Sequence, residues 1–257
     1  MTTKDATQTN IYTPIDDHIN LYNIVGNTKC TQLLTAAVNT HYNDRADGKN
    51  PILKPILFLG ERGSGKSTYS RALGNALAFS FKHELGTTLN RGGQCVTDFV
   101  LGGDEETCYF ISKADQLLPY CVDKLYKVIT QGTLYVNDPI ERRTETYDMP
   151  GRLFVFSARN VSRLIEPLLK HCIVIHLEKY RVEEVFLILQ QRSKFWNLIS
   201  AYSALSKIAD YVKGDAGAAI SILERTYRVM RADDRNELKE EDVNKAIGYG
   251  NMPMEDD

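Results

Sequence analysis

Gly60-Glu61-Arg62-Gly63-Ser64-Gly65-Lys66-Ser67 is the stretch whose reading decides the fold. It follows the apolar run Ile56-Leu57-Phe58-Leu59 and leads, through Thr68, into a segment with helical spacing over 68–78. Every fixed position of the phosphate-loop pattern G-x-x-x-x-G-K-[ST] is filled, in the strand, loop and helix context the pattern needs. Glycines let successive backbone N–H groups turn inward around an anion, and the helix N-terminus adds partial positive charge. The ligand this chemistry suits is a nucleoside triphosphate, with Lys66 on the outer phosphates and the Ser67 hydroxyl on Mg²⁺.

Working outward, the whole chain has an ordinary globular balance. Its 257 residues are 43% hydrophobic and 25% charged, enough for one large or two modest domains with a real core. No apolar run approaches the ~18 residues of a spanning helix, and residues 1–10 are polar rather than signal-like. The expected setting is therefore cytoplasmic or nuclear, with no membrane partner. Cys30, Cys95, Cys108, Cys121 and Cys172 are scattered without a C-x-x-C pair, which reads as reduced thiols rather than a metal or disulfide framework. A net charge of -2 lacks the basic excess of a dedicated nucleic-acid binder, so any DNA contact is expected to be local or shared among subunits, and weak for this chain alone.

Along the chain, residues 1–18 read as a flexible N-terminal arm. A helix follows in which Leu33, Leu34, Ala37, Val38 and His41 are spaced to give one buried face, ending in the polar connector 43–50. Strands are expected at 78–83 and 108–112, a helix at 119–130, and a hairpin from 133–136 and 144–148 tipped by Glu141-Arg142-Arg143. The near-continuous apolar runs 153–157 and 173–177 have the pattern of strands buried on both faces of a parallel sheet. Beyond Tyr180 the pattern changes to helices only, near 182–192, 196–212, 216–231 and 239–247. The domain expectation is a nucleotide-binding domain over 19–179, a helical lid over 180–248 and an acidic tail over 249–257.

From about Leu21 to Ile247 this order of elements resembles the AAA+ ATPases. Within them it is most similar to the RuvB family of Holliday-junction branch-migration motors, and secondarily to clamp-loader subunits. The sharpest residues are Gly60 to Thr68, Glu166-Pro167-Leu168 before the fifth strand, and His176-Leu177-Glu178-Lys179-Tyr180, similar to the strand-ending tyrosine of the RuvB adenine pocket. The resemblance implies an α/β fold: a parallel five-stranded P-loop sheet sandwiched by helices, then a small all-helical lid. It implies ATP or ADP with Mg²⁺ as cofactors, and adenine contacts from Ile24, Val25, Tyr180 and Ala218. It implies a polar sensor contact from Asn160. The winged-helix DNA-binding domain that RuvB proteins carry after the lid has no counterpart among these 257 residues.

The departures fall on the family's catalytic positions. The third strand should end in two acids, one supporting Mg²⁺ and one polarising water; here Ser112 and Lys113 stand there, followed by Ala114 and Asp115. A lysine does not act as that base without a large pKa depression, and its charge opposes a metal. Asp104 and Glu105 lie before the strand; Asp115 is the remaining carboxylate for Mg²⁺. The finger segment reads Leu168-Leu169-Lys170-His171-Cys172, losing both arginine slots, and a missing finger alone lowers phosphoryl transfer by ~10³ to 10⁵ fold. Lys170, Arg159 and Arg163 are the nearby cations. In Gly214-Asp215-Ala216-Gly217 the lid's sensor arginine is replaced by Gly217.

The sequence thus points to a nucleotide-binding module that hydrolyses slowly or not at all, with bound Mg-ATP stabilising the two domains and assembly with like or unlike subunits. The alternative it leaves open is an active ATP-dependent DNA motor or loader in branch migration, replication, recombination or transposition, working with partner subunits.

Overall fold

The computed structural model describes residues 18–51, 53–138, 143–149, 152–161 and 166–250. The arm at 1–17, the tail from 251, the hairpin tip at Glu141 and Arg142, and Arg163 lie outside the described residues.

Helix α1 (Thr28–Ala46) leads to β1 (Ile56–Leu59), α2 (Lys66–Ala76), β2 (Ser80–Leu85), the short α3 (Gly86–Leu89), α4 (Gly93–Leu101) and β3 (Thr107–Ser112). A 3-10 turn at Ala114–Gln116 precedes α5 (Pro119–Gln131), β4 (Thr133–Asp138), β5 (Arg143–Asp148), β6 (Leu153–Ala158), α6 (Glu166–Leu169) and β7 (Ile173–His176). Five strands form one sheet in the order β2-β3-β6-β1-β7, every neighbouring pair parallel. This is the predicted five-stranded α/β sheet.

The apolar runs explain its layers. β1, β3 and β6 are buried along their whole length, because helices cover both faces. On one face Phe58, Tyr69, Leu73, Phe110 and Val155 pack with Leu34 and Val38 of α1. On the other, Ile111, Phe154 and Phe156 pack with Val96, Val100 and Leu125. Each such side chain, fully buried, contributes about 1.5–3 kcal/mol. Tyr109 fixes the lower edge: its ring stacks on Phe154 at 5.1 Å, its hydroxyl donates to Val100 O at 2.9 Å, and Arg152 donates to that hydroxyl.

The 173–177 run is a correction. β7 is an edge strand with Val174 39% exposed, so its apolar sequence covers only one face fully. In α1 the buried line is Cys30, Leu34, Val38 and His41, while Leu33 turns to solvent. Helices α3 and α4 were not read from the sequence; the Gly-rich opening around Gly92 and Gly93 hides their short apolar face. β4 and β5 pair antiparallel as expected, from Thr133 opposite Asp148 to Asp138 opposite Arg143.

By its internal contacts the chain divides into two units. One holds Ile19–Glu61 and Lys66–Glu178. The other joins Arg62–Gly65 to the chain from Lys179 onward. The latter contains α7 (Val182–Phe195), α8 (Tyr202–Val212), α9 (Ala216–Ala232) and α10 (Glu240–Gly250) around Val185, Leu189, Trp196, Leu205, Ile208, Ile222 and Leu223. The expected single helix over 196–212 is not formed. Trp196 caps α7, Asn197 turns with φ 52°, and β8 (Ile199–Ser200) pairs in parallel with β9 (Glu237–Leu238), so this unit is not purely helical. Asp242 is fully buried in it, bonded to Arg235 Nη1 at 3.0 Å and to Lys239 N at 2.9 Å.

Among the described residues no helix is long and apolar enough to cross a membrane.

Candidate nucleotide site

The site begins where β1 runs out at the carboxyl edge of the sheet. Gly60 N donates to Ala158 O at 3.3 Å, so the loop leaves from a point anchored to β6. Gly63 and Gly65 have φ of 75° and 90°, left-handed conformations that a Cβ penalises. Those two turns wrap the backbone back on itself and let α2 start at Lys66 with its N–H groups directed into the loop's concavity. Lys66 Nζ donates to Gly60 O at 2.7 Å and to Glu61 O at 2.5 Å. The ammonium therefore lies inside the loop it serves. Ser64 is buried in the loop; Ser67 is exposed one residue into the helix. A phosphate fits this cradle on backbone geometry, positive charge and helix polarity alike.

Behind the loop, Tyr69 connects two predicted pieces. It is fully buried on α2, donates to Gly26 O at 2.8 Å, and its hydroxyl lies 3.0 Å from Thr31 Oγ1. It thereby fixes the linker Ile24-Val25-Gly26 to the phosphate-loop helix. Ile24 and Gly26, with Leu21, Tyr22 and Thr31, border an open cavity of about 560 Å³. Sequence reading missed Tyr69. Its signal was its place two residues after Ser67, one turn along α2 from Lys66 and on that helix's inner face.

In the helical unit, Arg62 Nε lies 3.7 Å from Asp215 Oδ2, and a Cβ on Gly63 would come within 2.1 Å of Asp215 Oδ1. Asp215 also caps α9 by accepting from Ala218 N at 2.9 Å. Tyr180 is buried, and its hydroxyl takes the space beside Gly65 that a Cβ would need. Gly217 is exposed in the first turn of α9, with no side chain to reach a phosphate.

The catalytic positions look different. Ser112 ends β3 with its hydroxyl 2.8 Å from His83 Nε2 and 3.5 Å from Glu84 O, so it is turned toward β2. The His83 ring stacks on Phe110 at 4.8 Å. Lys113 follows with φ 54° and ψ 43°, exposed, and its carbonyl sits 2.5 Å from where a Cβ on Gly86 would be. Asp115 Oδ2 accepts from Arg159 N at 3.4 Å. Asn160 is exposed just beyond β6. In the finger segment the His171 ring meets Tyr126 edge-on at 5.4 Å. Burial pushes the neighbouring Cys172 thiol up to about 12, which removes it as a nucleophile at neutral pH. Among the described residues no group of three or more His, Cys, Asp and Glu could hold a metal ion. The loop's backbone donors and Lys66 fit a phosphate chain, and Ser67 offers an exposed hydroxyl to Mg²⁺.

A five-stranded parallel sheet of this order, a phosphate loop after its interior strand β1, and a mainly helical unit later in the chain define the AAA+ ATPase fold. Its RuvB-like form is what the comparisons support. The Thermotoga maritima RuvB Holliday junction branch migration motor superposes with a TM-score of 0.72 at 19% identity, over 93% of this chain and 74% of that one. A point variant of the same motor gives 0.74 at 18%, over 91% and 74%. In sequence the chain is similar to the Holliday junction branch migration complex subunit RuvB of Mycoplasmopsis pulmonis (strain UAB CTIP), 23% identical over 210 residues. It is also similar to that of Koribacter versatilis (strain Ellin345), 23% over 230 residues. It covers 80% and 88% of itself in these matches but only 65% and 62% of the length of those relatives. No protein-family model matches the chain.

Proposed function

We propose that this chain is a RuvB-like AAA+ module that binds ATP and turns it over slowly or not at all, so that bound nucleotide acts as a structural ligand in a larger assembly. One observation carries the reading: the phosphate loop is complete, while β3 ends in a Ser112 bonded to His83 and an exposed Lys113 where two acids would activate water. Gly60 to Thr68 hold the phosphates, with Lys66 as the mobile cation. Ile24, Val25, Tyr180 and Ala218 are the proposed base contacts, Asn160 the proposed polar sensor, and Ser67 the proposed Mg²⁺ ligand, with Asp115 as the further carboxylate for it. ATP would supply a polyanion that neutralises the loop and α2 terminus. None of Ser112, Lys113, His171 and Gly217 supplies the base, finger or sensor chemistry of hydrolysis.

The division into a nucleotide-binding domain to residue 179 and a lid from residue 180, the cytoplasmic setting, and membership of a homo- or hetero-oligomer belong to this proposal. With a net charge of -2, contact with DNA through this chain alone is weak and salt-sensitive. The relatives named as subunits of a branch-migration complex favour a second reading, a DNA motor or loader in which active partner subunits supply the missing groups. Steady-state ATP turnover by the purified protein separates the two: the first reading expects background rates. A rate of about 1 s⁻¹ or more, lost in Lys66→Ala, refutes it.

A further inference from the structure

We propose that Asp215 sets the affinity of the phosphate loop: its carboxylate, held against Gly63, repels an incoming polyphosphate and keeps nucleotide binding weaker than the loop's own donors would make it. This rests on the nucleotide-binding reading and concerns the same loop.

The contact lies within the unit that joins Arg62–Gly65 to the chain from Lys179 onward. A Cβ on Gly63 would run into the Asp215 carboxylate and would stand 2.8 Å from the Asp215 Cα. Gly63 also has φ 75°, which a residue with a Cβ adopts only under strain. Glycine at this position thus meets two needs, the turn of the loop and the close approach of an acid. Tyr180 borders Gly65 in the same way, but with a neutral hydroxyl. The acid adds charge where the tyrosine adds only bulk.

The carboxylate is tied in place. Its Oδ1 accepts from Ala218 N at 2.9 Å and caps α9. Asp215 N donates to Val212 O at 3.1 Å, and Ala219 N donates to Asp215 O at 3.0 Å. Turning the side chain away from the loop would break the cap of α9, so the charge stays beside Gly63. The Asp215 side chain is 24% exposed, which limits screening by salt and water. Arg62 Nε lies 3.7 Å from Oδ2, but its side chain is 75% exposed and offsets that charge only in part.

Backbone N–H groups gathered around an anion attract a phosphate, and a fixed carboxylate beside them opposes it. Like charges brought together on binding subtract from affinity. The loss grows with the charge of the ligand, so a triphosphate is penalised more than a diphosphate.

Titration calorimetry with ATP and with ADP tests this. Asp215→Asn and Asp215→Ser each keep a side-chain oxygen for Ala218 N in a favoured helix cap, but carry no charge. Both should tighten ATP binding about tenfold, and ADP binding by a smaller factor. Agreement between the two variants marks charge rather than shape as the cause. An ATP Kd within about twofold of wild type in either variant, or one that rises, overturns this proposal and leaves the nucleotide reading standing. An equal gain for ATP and ADP does the same, because a merely loosened helical unit would give it. If neither the wild type nor the variants bind ATP, the nucleotide reading falls and this proposal with it.

Discussion

Replacing Lys66 by alanine should remove nearly all of the thermal stabilisation that ATP confers. At ATP about 100 times its Kd, binding stabilises the folded chain by about 2.7 kcal/mol. For a chain of this size each kcal/mol moves the midpoint by about 2–4 °C, so the wild-type shift is about 5–11 °C. In the structure the Lys66 ammonium donates to two loop carbonyls, Gly60 O at 2.7 Å and Glu61 O at 2.5 Å, so it is already held within the loop. Exchanging those carbonyls for phosphate oxygens strengthens charge-assisted bonds, each worth about 1.5–3 kcal/mol. Losing the upper part of that range raises Kd about 100-fold. ATP at the same concentration then stabilises Lys66→Ala by only about 0.4 kcal/mol, or about 1 °C. Scanning fluorimetry across an ATP series measures both. A wild-type midpoint that ATP leaves unmoved, or a Lys66→Ala midpoint that moves as far as wild type, refutes the assignment of the loop.

Three other perturbations probe the scaffold. His41 is buried between Tyr42 and Phe79 with neither ring nitrogen bonded; burial, with Arg45 nearby, lowers its pKa against the weaker opposing pull of Glu106 and Asp44. The unfolded chain then takes up that proton first, so stability should fall as pH drops below about 6.5. Denaturant midpoints of His41→Phe, which carries no such proton, should lose that part of the slope. Asp242→Ala should destabilise the helical unit by about 1.5–3 kcal/mol, since it removes the buried carboxylate that accepts from Arg235 and from Lys239 N, while Arg235 keeps Asp233. Burial opposes ionisation of Asp242, but Arg235 and Lys239 N outweigh it and hold the carboxyl below its usual range. The stabilisation is therefore present at neutral pH and fades as pH falls through that depressed value, which urea melts across an acid series would trace. Finally, Gly86→Ala would drive a methyl to within 2.5 Å of Lys113 O, and should cost about 1–3 kcal/mol while displacing the turn after β3. Equal urea midpoints for Gly86→Ala and wild type would show that the turn yields at no cost.

The sequence carried the core strands because their signal is local. Runs such as Leu153-Phe154-Val155-Phe156 are long enough and apolar enough that only a strand covered on both faces accommodates them. The phosphate loop was equally legible, because its glycines, lysine and serine each answer a requirement of the loop itself. The 173–177 run misled for the complementary reason. Apolarity does not say which strand has a neighbour on each side, and β7 lies at the edge. The helical reading of 196–212 failed because the two-residue pairing of Ile199–Ser200 with Glu237–Leu238 is made across 36 residues of intervening chain, beyond any local periodicity.

What the sequence alone proposed was a phosphate-bearing ligand and a loss of the family's catalytic groups: residue types at fixed spacings around Lys66, and Ser112, Lys113, His171 and Gly217 where the resemblance expects acids and arginines. What only the tertiary structure decided was what those substituted residues do instead. Ser112 is tied to His83 across two strands, Tyr69 fastens the Ile24 linker to the loop helix from 43 residues away, and the Lys113 turn is fixed against Gly86. Each of these is a contact between segments distant in sequence. Such contacts depend on strand order and register, and neither is written in the local alternation of polar and apolar residues.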